Sequence, residues 1–163
     1  MKRIILHWTG GGHQPNKTDF EHYHYLVNCD GLIVMGRYTV DDNRNCVDGK
    51  YAKHTGGCNT GSIGVAMCGM YGYQNRKTVG SYPLTKKQCE ATFKLIAKLC
   101  IIHDLNVTPQ TVFTHYEFGK KNPNTSSAGK IDITYLPPYP EQAKDKIGDF
   151  IRNKVRWYKS QMQ

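Results

Sequence analysis

The sequence has no long hydrophobic run. No stretch of its 163 residues approaches the ~18 consecutive apolar positions that a membrane span needs. The amino terminus carries Lys2 and Arg3 but only a few apolar residues before His7, too short a run for a secretory signal segment. The expectation is a protein made and kept in the cytoplasm until something else releases it. No repeat, low-complexity tract or linker marks a second domain, so residues 1–163 are read as one domain. Acidic residues are few: 13 Asp and Glu stand against 22 Lys and Arg, a net charge of +9. Such a surplus suits an anionic partner, whether nucleic acid, an anionic membrane face or a polyanionic polymer. It is also compatible with an ordinary soluble surface. The six cysteines include no C-x-x-C pair, which argues against a four-cysteine zinc ribbon. Cys68, Cys89 and Cys100 lie in apolar contexts and read as small core residues. Cys46 and Cys58 flank a loop and would be the pair to form a disulfide under oxidation. H-E-x-x-H, the helical metalloprotease motif, is absent.

What is present is a set of short apolar runs that end in chemistry. Ile4-Ile5-Leu6 reads as a buried strand that stops at His7, before a threonine and three glycines. The polar, proline-containing stretch from His13 to Asp19 reads as a loop. Tyr23–Val27 and Leu32–Met35 flank Asn28-Cys29-Asp30-Gly31, and Asp-Gly between two such runs predicts a hairpin. Val40 to Thr60 is loop-like, and a long loop in a compact domain is often functional. Ser62–Met67 is a further buried strand. Thr85-Lys86-Lys87-Gln88 has capping-box spacing and starts a helix that ends near His103. Cys89, Phe93, Ile96, Ala97 and Cys100 form its apolar face. Thr111–Thr114 is a strand that stops at His115, and Gly119 to Gly129 is a loop. A last helix, about 141–158, follows Pro137-Pro138-Tyr139-Pro140. Its apolar side is Ala143, Ile147, Phe150, Ile151 and Val155, and Lys144, Lys146, Arg152, Lys154, Arg156 and Lys159 supply solvated charge. Strands alternating with helices, plus a hairpin, predict an α/β domain with a central mixed sheet flanked by helices.

Two strands therefore end in histidine. If they are neighbours in the sheet, His7 and His115 project from the same rim. Downstream lies Lys130-Ile131-Asp132; alternation along an extended segment puts Lys130 and Asp132 on one side and Ile131 in the core. Two imidazoles and a carboxylate make a three-ligand zinc site with a fourth position open, and such a metal activates water and polarises a carbonyl. Lys130 would then stabilise a developing oxyanion, with Tyr23 as a hydrogen-bonding partner. The bland alternatives stand beside this. His24 reads as a hairpin residue or a supporting neighbour of the site, and His13, His22 and His103 read as surface. Tyr71, Tyr73 and Tyr82 with Arg76 and Lys77 read either as a stacking loop for glycan or nucleic acid or as ordinary surface.

These residues carry a resemblance. Ile-Leu-His-Trp-Thr (5–9), Tyr-His-Tyr-Leu-Val-Asn-Cys-Asp-Gly-Leu-Ile (23–33), His-Thr-Gly-Gly-Cys-Asn-Thr-Gly-Ser-Ile-Gly-Val (54–65), Thr-His-Tyr-Glu (114–117) and Lys-Ile-Asp (130–132) occur in one order. Together they resemble the type-2 N-acetylmuramoyl-L-alanine amidases, a zinc-dependent family that includes phage T7 lysozyme and the peptidoglycan recognition proteins. The resemblance implies Zn2+ held by His7, His115 and Asp132, with Tyr23 and Lys130 as the catalytic pair. His54 would line the substrate cleft, while Asn59 and Ser62 would shape the loop and support the strand. Two departures stand out: Ile133-Thr134 replace the Pro-Gly that often follows the third ligand, and the stretch from Val40 to Tyr51 is longer than usual. The activity implied is hydrolysis of the amide between N-acetylmuramic acid and L-alanine, as a monomeric phage or prophage endolysin. Peptidoglycan is the partner, the basic last helix is a candidate contact to an anionic membrane, and no nucleic acid is expected. The rivals are a non-catalytic peptidoglycan-binding module and an amidase that also binds a polymerase or nucleic acid.

Overall fold

A computed structural model describes all of residues 1–163. Five strands form one sheet: β1 (Arg3–Trp8), β2 (Tyr25–Val27), β3 (Ile33–Met35), β4 (Ser62–Met67) and β5 (Val112–Thr114). Their order is β3-β2-β4-β1-β5. β1 runs parallel to both β4 and β5, β2 runs parallel to β4, and only the β2–β3 hairpin is antiparallel. The helices are α1 (Lys17–His22), α2 (Lys86–Ile102), α3 (His115–Lys121) and α4 (Ile147–Met162). This is the mixed sheet flanked by helices that the pattern predicts. No helix is long and apolar enough to cross a membrane.

The two faces of the sheet are built from different residues. Side chains alternate along a strand. Ile4, Leu6 and Trp8 of β1, with Ile63, Val65 and Met67 of β4, join the main core under α2 and α4. The opposite face of β4 carries only Ser62, Gly64 and Ala66, and the register sets Ala66 beside His7 and Gly64 beside Ile5. Those small residues leave a trough. A Cβ on Gly64 would stand 2.5 Å from Cγ of His54, so glycine there is what lets the Val40–Gly61 loop lie against the strand. The Tyr23 and Phe20 rings pack near Leu26 and Ala66 on this second face.

Several expectations need correction. α1 begins inside the stretch read as a loop from His13 to Asp19, at Lys17, and Asn16 caps it in a reciprocal box with Asp19. Its single apolar residue, Phe20, gives no helical periodicity to detect. The hairpin strand starts at Tyr25, and Tyr23 is the C-cap of α1. The loop read from Gly119 starts later, because His115 opens α3, which runs to Lys121 and which Thr114 and Glu117 cap in the same reciprocal way. Ile131 is not core but 50 % exposed; Ile133 is the buried residue instead. Ala143 is exposed, and the last helix starts at Ile147 and runs to Met162. Its cations are not simply solvated. Arg152 is buried and bridges Glu117 and Asp149 at 2.9 and 2.8 Å. Lys154 pairs with Glu90 at 3.0 Å, and Arg156 and Lys159 donate to the carbonyls of Val107 and Leu105. A Cβ on Gly148 would stand 2.3 Å from the Glu117 carboxyl, so that glycine allows α4 to close on the start of α3. All six cysteines are free, with Cys68, Cys89 and Cys100 buried as the pattern predicts.

Candidate metal centre

Parallel neighbours bring the two histidines together. β5 lies directly beside β1 with Leu6 opposite Thr114, so His115 leaves the sheet next to His7. Both sit at the carboxyl edge of the parallel strands, the edge where open α/β sheets present their sites. Asp132 arrives from the loop after α3. The Tyr116 backbone N–H donates to the Asp132 carbonyl at 2.6 Å, which ties the aspartate to the first turn of α3 without the Pro-Gly turn. Nδ1 of His7 lies 3.2 Å from Nδ1 of His115 and 2.9 Å from Oδ2 of Asp132, and His115 Nδ1 lies 3.2 Å from the same oxygen. All three residues are buried.

The hydrogen bonds behind the histidines decide what faces the centre. The Ser127 hydroxyl has one hydrogen and donates it to the Gly56 carbonyl at 2.7 Å. Toward His115 Nε2, at 2.9 Å, it can only accept. The His115 proton is therefore on Nε2. His54 Nε2 donates to the Ser62 carbonyl at 3.3 Å, which leaves its Nδ1 as an acceptor 3.2 Å from His7 Nε2. The His7 proton is on Nε2 as well. Three acceptors then converge at 2.9–3.2 Å with no hydrogen between the two nitrogens. Lone pairs facing one another in this way call for a cation. Nitrogen and oxygen ligands about 2.0–2.1 Å from a tetrahedral zinc would stand roughly 3.3 Å apart, so the donor set fits that ion in kind and in spacing.

Burial sets the protonation states. It pushes His7 down to about 4, only partly offset by the neighbouring Asp132 carboxylate, so the ring is neutral near pH 7. Burial also drives His54 well below its ordinary value, with His7 and His24 adding to the effect. Burial would raise the Asp132 carboxyl, but the His115 and His7 rings beside it outweigh that effect and hold the group below its ordinary value, ionised. Tyr23 is pushed up by burial and then by the Asp132 charge, so its hydroxyl keeps its proton. Its ring centroid is 5.2 Å from that of His7.

A cleft of about 660 Å³ opens over these residues. Tyr23, His54, Asn59, His115, Lys130 and Asp132 all line it, so each predicted site residue other than the fully buried His7 reaches the same cavity. His54 also packs edge-on to the His7 ring, 5.2 Å between centroids. Asn59 does its visible work on the backbone, where its Oδ1 accepts from the Thr55 N–H at 2.8 Å. In the tyrosine loop, Arg76 donates to the carbonyls of Pro140 and Gln142 and lies 4.7 Å from the Tyr135 ring centroid, while Tyr71 and Tyr82 are exposed and Tyr73 lines the cleft. Tyr73 packs on Trp8.

Sequence reasoning missed Thr55, Ser127 and Asn43. Asn43 is fully buried. Its amide spans the long loop, exchanging hydrogen bonds with both backbone groups of Ala52 and accepting from His24 Nε2, each at 2.9 Å. Nothing in its Asp-Asp-Asn context separates it from turn residues. Ser127 sits in a polar Ser-Ser pair for which only the fold picks one member.

The fold and site together define an α/β domain with a buried two-histidine, one-carboxylate cluster that could hold a metal, under an open cleft. The chain belongs to the N-acetylmuramoyl-L-alanine amidase family, whose sequence model matches residues 1–132. Among solved structures, the N-acetylmuramoyl-L-alanine amidase LysC from Clostridium intestinale URNW superposes with a TM-score of 0.58 at 15% identity, covering 95% of this chain and 85% of that one. The ectodomain complex of peptidoglycan recognition proteins LCa and LCx, bound to tracheal cytotoxin, gives 0.54 at 16% identity, covering 90% and 80%. At these identities the likeness is one of fold. No curated protein matches the sequence.

Proposed function

We propose that this protein is a zinc-dependent peptidoglycan amidase that cleaves the bond between N-acetylmuramic acid and L-alanine, acting as an endolysin. The observation that carries the reading is the convergence of three bare acceptors, His7 Nδ1, His115 Nδ1 and Asp132 Oδ2, beneath the cleft. Zinc held there would supply Lewis acidity toward the scissile carbonyl and make water nucleophilic near neutral pH. The protein's own residues do the rest. The acceptors are fixed before substrate arrives, so little reorganisation is needed at the moment of reaction. Tyr23, kept protonated by its surroundings, donates a hydrogen bond to the reacting oxygen. Lys130 lines the same cleft and places a positive charge where the carbonyl oxygen becomes negative. The muramoyl-peptide substrate brings anionic groups, and the +9 surplus favours its approach. Attraction to a wall or membrane face rests on that overall charge rather than on α4, whose Arg152, Lys154, Arg156 and Lys159 are engaged within the fold.

A non-catalytic binding role is the rival, since the neighbour solved with tracheal cytotoxin is named as a recognition protein. The complete donor set, with Tyr23 and Lys130 in one cleft, favours the enzyme. The test is turbidity loss of purified sacculi with and without a chelator, with release of free L-alanine amino groups measured against reducing sugar. Metal-dependent amino-group release without reducing sugar is expected. Binding without release, or release that survives complete metal removal, overturns the proposal.

A further inference from the structure

We infer that the segment His54–Gly57, acting with Ser127, is a hydrogen-bonding rail that fixes both metal-facing histidines in the Nε2–H form, so that metal affinity is set from this one loop as well as by the ligands. The inference rests on reading His7, His115 and Asp132 as ligands. It assigns positioning roles to Thr55 and Ser127 and gives His54 a second task besides lining the cleft.

The two histidines come from different elements, yet their outer nitrogens lead to the same stretch of chain. His7 Nε2 meets His54 Nδ1 at 3.2 Å and Thr55 Oγ1 at 3.3 Å. Thr55 Oγ1 lies 2.7 Å from His54 Nδ1 and donates its one hydrogen there, so it accepts from His7. His115 Nε2 meets Ser127 Oγ, which passes on to the Gly56 carbonyl. Each arm thus ends on an acceptor that cannot donate: the Ser62 carbonyl behind His54 and the Gly56 carbonyl behind Ser127. Thr55, Ser62 and Ser127 are fully buried, so water does not compete for these bonds. The rail is itself braced, because Asn59 Oδ1 holds the Thr55 N–H and the Gly64 strand leaves room for the His54 ring. Without the outer acceptors either histidine is free to place its proton on Nδ1, where it blocks the centre. Hydrogen-bond partners of this kind typically contribute 10–100-fold in metal affinity.

The test compares Ser127→Ala, Thr55→Val and Thr55→Ser with the parent. Zn2+ affinity is measured by competition with a chromophoric chelator, and unfolding is followed in EDTA. Histidine ring protons are recorded by 1H–15N correlation in the metal-free protein. Ser127→Ala is expected to lose about 10–100-fold in Zn2+ affinity while remaining folded. Thr55→Val loses less, because His54 Nδ1, released from the Thr55 hydroxyl, is then free to accept from His7, and Thr55→Ser restores parental affinity. The parent should show slowly exchanging Nε2–H protons on His7 and His115, and Ser127→Ala should lose that of His115 alone. A folded Ser127→Ala that binds Zn2+ within about twofold of the parent, or a parent lacking those Nε2–H protons, overturns the inference. If Ser127→Ala does not fold, the parent's ring protons and the Thr55 pair decide. A parent that binds no Zn2+ would instead remove the metal reading itself.

Discussion

Tyr23, Lys130 and Asp132 are where single atoms decide the outcome. Tyr23→Phe removes one hydroxyl from the cleft and leaves the ring packing beside His7. Losing one preorganised donor typically costs about 10²–10³ in kcat; that drop, with KM little changed, is expected in an assay of released L-alanine amino groups. Lys130→Ala should fall in the same range. Asp132→Asn removes the negative charge from the proposed ligand set, and zinc retained after dialysis is expected to fall to background by elemental analysis. His24 gives a prediction at the same scale. Its Nδ1 accepts from the Gly64 N–H and its Nε2 donates to Asn43 Oδ1, both at 2.9 Å, which leaves no place for a second proton. Burial lowers it to about 4. The unfolded ring titrates near 6.5, so between those values the unfolded chain binds a proton that the folded one rejects. The stabilisation is complete above about pH 6.5 and is lost as pH falls toward 4. In urea unfolding with chelator present, this residue should account for roughly 2 kcal/mol of the stability lost between pH 7 and pH 5, so His24→Gln should shrink the parent's acid loss by that amount and leave the contributions of His7 and His54.

Among the elements, the Val40–Gly61 loop and the α3–α4 contact do the supporting. Asn43→Ala strands the Ala52 N–H and carbonyl and the His24 Nε2–H inside the protein. A buried group left without its partner costs about 1–3 kcal/mol, so a loss of about 3 kcal/mol is expected in urea unfolding. Arg152→Ala leaves the Glu117 carboxylate without its buried cation. Breaking a buried pair costs about 3–5 kcal/mol; Glu117 is partly exposed, so about 2–3 kcal/mol is the expectation. How far elements were legible depended on their local signals. Thr85 with Gln88, and Asp30-Gly31 between apolar runs, declare α2 and the hairpin because the cap and the turn are local chemistry. Asn16 with Asp19 and Thr114 with Glu117 carry the same cap signal. Those two helices are too short and too polar for a periodic apolar face to draw attention to the caps.

On the scale of the whole molecule, charge and the last helix matter most. With +9 overall and a Debye length near 8–10 Å at physiological salt, sacculus association should weaken as ionic strength rises while turnover of bound substrate holds. That outcome is read as a rising KM with steady kcat. The family match stops at residue 132, yet Ile147, Ile151 and Val155 belong to the main core. Removing residues 141–163 should therefore abolish cooperative unfolding as followed by circular dichroism, rather than yield an active shorter domain.

The sequence by itself determined the strands, the capped helix, the +9 surface and the residue types able to hold a metal, because periodicity, turn chemistry and side-chain functionality are local properties. It also carried His7, His115 and Asp132 as candidates, since two strands visibly end in histidine and Lys-Ile-Asp follows. Only the tertiary structure decided that Leu6 faces Thr114, that Asp132 is tied to Tyr116, and that one loop stands behind both histidines. Those relations join residues from 12 to 108 positions apart. Such separations leave no trace in any local window; they follow from strand order and from small residues on one face of β4 that give the loop a place to lie.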